Sequence, residues 1–145
     1  MDIALLKAVN DARRARRAVV VVTDLGDGGS RLILQDEEVG GELGEAISKV
    51  FRTGNSTTVE AAGRHLFLNT HLPQPRLVVI GAVHISQALA PMARIAGYQV
   101  EIIDPRTAFA SADRFPDVEL YPDWPETILS ELPLDAYSAL VAVTH

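Results

Sequence analysis

RLVVIGAVHISQALAPMARIAGYQVEIIDPR, residues 76–106, is the stretch whose reading decides the fold. Leu77–Ile80 is a short apolar run rich in β-branched residues, as in a buried strand. Gly81 permits a tight turn, a helical segment follows over about His84–Ala96, and Gly97 is a helix stop. Gln99–Ile103 is then a second strand, closed by Asp104-Pro105. Downstream, the pattern gives a loop, a short helix over about Pro125–Leu132 and a strand at Ala139–Val143. Strands alternating with helices predict a parallel sheet with right-handed crossovers.

Upstream the grammar differs. Ile3, Leu5, Leu6, Val9 and Ala12 recur at helical spacing, and Arg13, Arg14, Arg16 and Arg17 follow where cations suit the carboxyl end of a helix dipole. AVVVVTD, a Gly/Asp turn from Gly26 to Ser30, and a second short strand predict a hairpin. A helix over Glu42–Arg52, stopped by Gly54, precedes two short strands around Ala62 and Gly63. The expected fold class is therefore α/β: a small α+β domain over 1–70, a proline-bearing linker over 71–75, and a partial Rossmann-like domain over 76–145. The final LVAVTH ends on a strand that such a sheet would bury. The expectation is that the sequence belongs to a longer protein or that another chain completes the sheet, which predicts association between chains.

Composition narrows the function classes. The 145 residues are 48% hydrophobic and 22% charged, as in a folded soluble protein. No apolar run approaches the roughly 20 residues that span a bilayer, and the N-terminus lacks a signal-peptide pattern, so a cytoplasmic protein is expected. Without cysteine there is no disulfide, thiolate metal site or cysteine nucleophile in this sequence. A net charge of −6 argues against a nucleic-acid surface. Four Arg against nine Asp/Glu from Arg76 onward place most of that charge in the second half.

The Gly81 turn is the candidate binding element. A dinucleotide turn uses one glycine to turn, one to let backbone approach the pyrophosphate and one to pack helix on strand. Gly81, Val83 and Ser86 occupy those positions. Only the first is glycine, and the branched Val83 is the most damaging departure. Asp104, 23 positions beyond Gly81, stands where an acid accepts ribose hydroxyls, and Arg106 is placed to meet a phosphate. The helix start after Gly81 offers free N–H groups and a positive dipole end, with His84 in its first turn. The plainer reading, a tight strand-to-helix turn and an Asp-Pro turn with His84 as a cap, stands slightly ahead on spacing alone.

Taken together, Gly81-Ala82-Val83-His84, Asp104-Pro105-Arg106, Phe109-Ala110, Arg114-Phe115-Pro116 and Thr144-His145 resemble the Rossmann-like domain of the XdhC/CoxI family, accessory proteins of xanthine dehydrogenase and related molybdenum hydroxylases. The resemblance implies a maturation role, more a cofactor-insertion chaperone than an enzyme. It implies binding of molybdenum cofactor, a molybdopterin sometimes in nucleotide form, and its delivery to a xanthine dehydrogenase-type hydroxylase. Gly81, Ala82, Val83, His84, Ser86, Asp104, Arg106 and Thr144 are the implied binding residues. A glycine-glycine-cysteine motif common in the family's N-terminal domain reads Gly40-Gly41-Glu42 here, so that cysteine's chemistry does not carry over. The family's threonine-histidine motif usually continues into an acid and a lysine, which do not follow His145. The alternatives are an NAD(P)-binding oxidoreductase and an interaction module with a vestigial nucleotide pocket.

The remaining candidates weigh less. His65, His71, His84 and His145 include no pair at the i, i+4 spacing of a helical zinc site, so no metal is expected. Ser30 lacks the strand–nucleophile–helix setting of a hydrolase, and turn chemistry explains it better. ARRARR has no interleaved aromatics and reads as a solvated helix end or a docking surface for an acidic partner. Trp124, the single tryptophan, is either an edge-of-core anchor or an interface residue, with the core expected.

Overall fold

A computed structural model describes residues 2–143, which form two compact units divided between Pro73 and Gln74. The first contains α1 (Ile3–Arg14), β1 (Val19–Asp24), β2 (Ser30–Leu34), α2 (Gly41–Thr53), β3 (Thr57–Ala61) and β4 (Arg64–His71). Its strands form an antiparallel sheet in the order β2-β1-β4-β3. Asp2 caps α1 by accepting the Leu5 N–H at 2.7 Å. The unbroken Val19–Val22 run has a direct cause: β1 is central and both its faces are covered. Val20 and Val22 pack with Ile47 and Val50 of α2, whereas Val19 and Val21 pack with Val9 and Ala12 of α1. His71, expected in a linker, is the last residue of β4, opposite Val19. Burial followed by the nearby Arg13 charge lowers its pKa from the usual histidine value.

The second unit contains β5 (Arg76–Ile80), α3 (His84–Ile95), β6 (Gln99–Ile103), β7 (Glu119–Tyr121), α4 (Pro125–Glu131) and β8 (Ser138–Ala142). The sheet is parallel throughout, in the order β7-β6-β5-β8. The chain steps outward from β5 to β6 to β7, then returns to the other side of β5. Strand order therefore reverses beside β5, and ligands of open α/β sheets bind outside the carboxyl ends of the strands at such a point. The three-residue β7 was not expected from the sequence; followed at once by Pro122, it is too short to show a period.

Alternate residues divide the two faces of this sheet. Leu77, Val79, Val100 and Ile102 pack with Ala90 and Ala93 of α3 and with Phe115. On the opposite face, Val78 and Ile103 meet Ile128 and Leu129 of α4. The same face buries a charge pair, Arg76 and Glu101, 3.7 Å apart with both side chains only 6% exposed. The Arg76 guanidinium also donates to Ser138 Oγ at 2.8 Å and to the carbonyls of Leu132 and Pro133, so it joins β5 to the α4–β8 connection.

Candidate functional site

The carboxyl end of β5 is built around Gly81. Its φ of +114° is a conformation that side chains rarely adopt, and a Cβ there would lie 3.0 Å from the Val143 carbonyl oxygen. Glycine is thus needed both for the turn and for the close passage of the chain after β8. Ser86, fully buried, donates its hydroxyl to the Gly81 carbonyl at 2.6 Å, tying the first turn of α3 to the strand end. Val83 is the N-cap of α3 in extended conformation and provides no side-chain cap. His84 is exposed at the first helical position.

Asp104 has a different set of partners from those its sequence position suggests. Its carboxylate is 2% exposed and accepts the Ala82 N–H at 2.7 Å, the Arg106 N–H at 2.9 Å, and the Arg106 Nε and Nη2 groups at 2.9 and 2.7 Å. One side chain therefore fixes two turns, the one after β5 and the one after β6. The Arg106 hydrogen bonds, opposed by burial and aided by the Ala82 N–H, hold the Asp104 carboxyl at a pKa of about 2. The same hydrogen bonding is the chief reason that the pKa of Arg106 lies above the usual guanidinium value.

Arg106 is half exposed, and its guanidinium lies 4.7 Å from the centre of the Phe109 ring. Arg114 approaches the same ring at 5.6 Å, donates to the Ala82 and Phe109 carbonyls at 3.1 and 2.9 Å, and donates to Gln87 Oε1 at 3.0 Å. The segment after β6 is thereby fastened over the β5–α3 turn. Sequence spacing missed the fastening role of Arg114 and Phe109; their signal was their place in the resemblance, without a physical assignment.

A cleft of about 260 Å³ opens at these strand ends. Ile80 and Gly81 line it from β5, Ile103 to Arg106 from β6, and Trp124 and Pro125 from the start of α4. Trp124 corrects the expectation of a core residue: it is 63% exposed, because Ile128 and Leu129 already supply the packing of α4 on the sheet. Of the expected residues, the cleft brings together Gly81, Asp104 and Arg106, while Ala82 and Ser86 are buried supports behind the turn. Val83 and His84 lie at the helix start, outside the cleft lining. Thr144 and His145 lie outside the described residues. No cluster of three metal-ligating side chains occurs among the described residues, and none of their helices is long and apolar enough to cross a membrane.

The sheet, turn and closing strand coincide with a match to the family model described as the XdhC Rossmann domain, over residues 77–145. These residues belong to the XdhC Rossmann-domain family. A protein of Bacillus subtilis (strain 168), described as a probable subunit of xanthine dehydrogenase, is 33% identical over 82 residues, covering 56% of this chain and 25% of that protein. A solved structure described as a xanthine dehydrogenase from Bacillus halodurans superposes with a TM-score of 0.65 at 20% identity, covering 94% of this chain and 43% of that one. At that identity the second likeness establishes the fold. The chain spans about a quarter of the curated relative's length and under half of the solved chain's. Within the XdhC Rossmann domain, Gly81, Asp104, Arg106 and Trp124 line one opening.

Proposed function

We propose that this chain is an accessory factor in the maturation of a xanthine dehydrogenase-type molybdenum hydroxylase, and that it holds molybdenum cofactor or its nucleotide form as cargo for delivery. The observation that carries this reading is the cleft at the carboxyl ends of β5 and β6, inside the region matched by the XdhC Rossmann domain. The residues present suit a nucleotide-type cargo: Arg106 supplies a cation held in place, and the start of α3, lacking a side-chain cap, presents backbone N–H groups suited to phosphate. Asp104 acts from behind, positioning the turn and Arg106 rather than competing for the anion. The sequence has no cysteine, so these residues offer the cofactor no thiolate.

Ordinary dinucleotide binding is less well supported. Val83 carries a branched side chain at the position where backbone approaches the pyrophosphate in a dinucleotide turn. A thermal-shift panel with NAD, NADP, AMP, CMP, GMP and isolated molybdenum cofactor tests the proposal. A ligand that binds only the native state raises apparent stability. Larger stabilisation by the cofactor or its nucleotide part than by NAD is expected; preference for NAD would favour the oxidoreductase, and silence across the panel would contradict the cargo role of this chain.

A further inference from the structure

The exposed tryptophan at the cleft has no structural task that explains its type. Trp124 is the only tryptophan in the chain and is 63% exposed, while α4 anchors itself through Ile128 and Leu129. Its backbone is nevertheless constrained. The backbone is extended at φ −71° and ψ 141°, the Trp124 N–H donates to Asp123 Oδ1 at 2.6 Å, and Pro125 follows. A planar, amphipathic ring thus stands at the rim of a concave surface on a constrained backbone, an arrangement that marks a recognition site more than a core.

The other walls share its character. Pro105 and Pro125 offer flat, apolar surfaces, and Arg106 presents a planar guanidinium restrained by the two side-chain hydrogen bonds to Asp104. The guanidinium carbon lies over the Phe109 ring, and among the described residues Arg106 has no second ring contact. The volume, about 260 Å³, suits one ring system rather than an extended ligand. Edge-reading groups are scarce, because the Asp104 oxygens already accept four hydrogen bonds.

We propose that Trp124 is a stacking wall that binds the planar nitrogen heterocycle of a purine nucleotide or a pterin. The inference rests on the nucleotide-type reading of the cleft and assigns the class of group held there. Stacking contributes affinity without reading ring edges, so recognition tolerates different heterocycles.

Trp124 also provides the probe, since all tryptophan emission from this chain comes from one residue. The full chain, W124A and W124F would be titrated with AMP, GMP, 6-hydroxymethylpterin and ribose 5-phosphate by calorimetry. Tryptophan fluorescence would be followed in the AMP, GMP and ribose 5-phosphate titrations, with circular dichroism verifying that both variants fold. The expected result is quenching by AMP and GMP but not by ribose 5-phosphate. AMP affinity should fall about tenfold in W124A and be largely retained in W124F, with ribose 5-phosphate affinity unchanged in both. Binding of the pterin with the same W124A loss but no purine binding would support the stacking wall and restrict its ligand to a pterin. AMP binding that leaves the emission unchanged and is indifferent to W124A would overturn the stacking wall while leaving the nucleotide reading intact. Absence of calorimetric binding by every compound would overturn the nucleotide reading, and the inference with it.

Discussion

Two arginine–carboxylate pairs in the parallel sheet show how similar chemistry serves different ends. Arg76 and Glu101 are both 6% exposed, and Arg76 is further bonded to Ser138 and to two carbonyls of the α4–β8 connection. Arg106 and Asp104 are 51% and 2% exposed, with the carboxylate sealed and the cation open to the cleft. The sealed pair is structural, since both charges have left water and every contact holds one element to another. In the half-open pair the carboxylate organises backbone and holds a cation at the lining of the cleft. The difference lies in which partner keeps its access to solvent.

Breaking the sealed pair should have the largest effect. Arg76→Ala leaves the Glu101 charge buried without this partner, and removal of one member of a buried pair costs about 3–5 kcal/mol. Urea denaturation should show that loss; a change under about 1 kcal/mol would mean that the pair is relaxed by water. Next comes Asp104→Ala, which strands the Ala82 N–H and frees Arg106, at a cost of about 1–3 kcal/mol. It should also weaken nucleotide-type ligands more than Ser86→Ala does, as measured by calorimetry. Equal or reversed losses would remove Asp104 from the positioning role.

Acid sharpens the same contrast. The Asp104 pKa is depressed from 3.8 to about 2, so its contribution is fully present above about pH 4 and is lost as pH falls through 2. The contribution is capped at about 2 kcal/mol and reduced by solvent around Arg106. Asp104→Asn should flatten the stability profile in that window; an unchanged profile would place the acid sensitivity elsewhere. The smallest stability effect is expected for Arg106→Ala, below about 2 kcal/mol in urea denaturation, because the buried Asp104 carboxylate loses the guanidinium but keeps the N–H groups of Ala82 and residue 106. Ligand affinity should also fall about tenfold, and a variant that keeps its affinity would remove Arg106 from the ligand site.

Much of the scaffold was legible because its signals are local. Gln99–Ile103 is the expected strand, and α3 runs from His84 as the pattern predicts, with Pro91 inside it. Other features needed three dimensions. Glu101 interrupts an apolar strand, and its ion pair with Arg76, distant in sequence, is not legible from local pattern. Asp104 was legible as the acid at a strand end, but spacing has no access to the fact that its oxygens are committed to Ala82 and Arg106. Trp124 was misread because tryptophan is usually buried, and nothing local reveals that Ile128 and Leu129 already complete that packing. Association between chains is still expected: among the described residues β8 pairs only with β5, and its Leu140 is 45% exposed. Sedimentation velocity should show concentration-dependent dimers or larger species, and a monomer at all concentrations would refute association.

The central claim is that the cleft at the ends of β5 and β6 is the ligand site, and amide chemical-shift mapping of the labelled chain during titration with AMP tests it most directly. The largest shifts are expected at Gly81, Ala82, Arg106 and the Trp124 indole N–H. Shifts concentrated instead around Asp24, Arg31 and Arg64, which line a cavity of about 530 Å³ in the first unit, would contradict it.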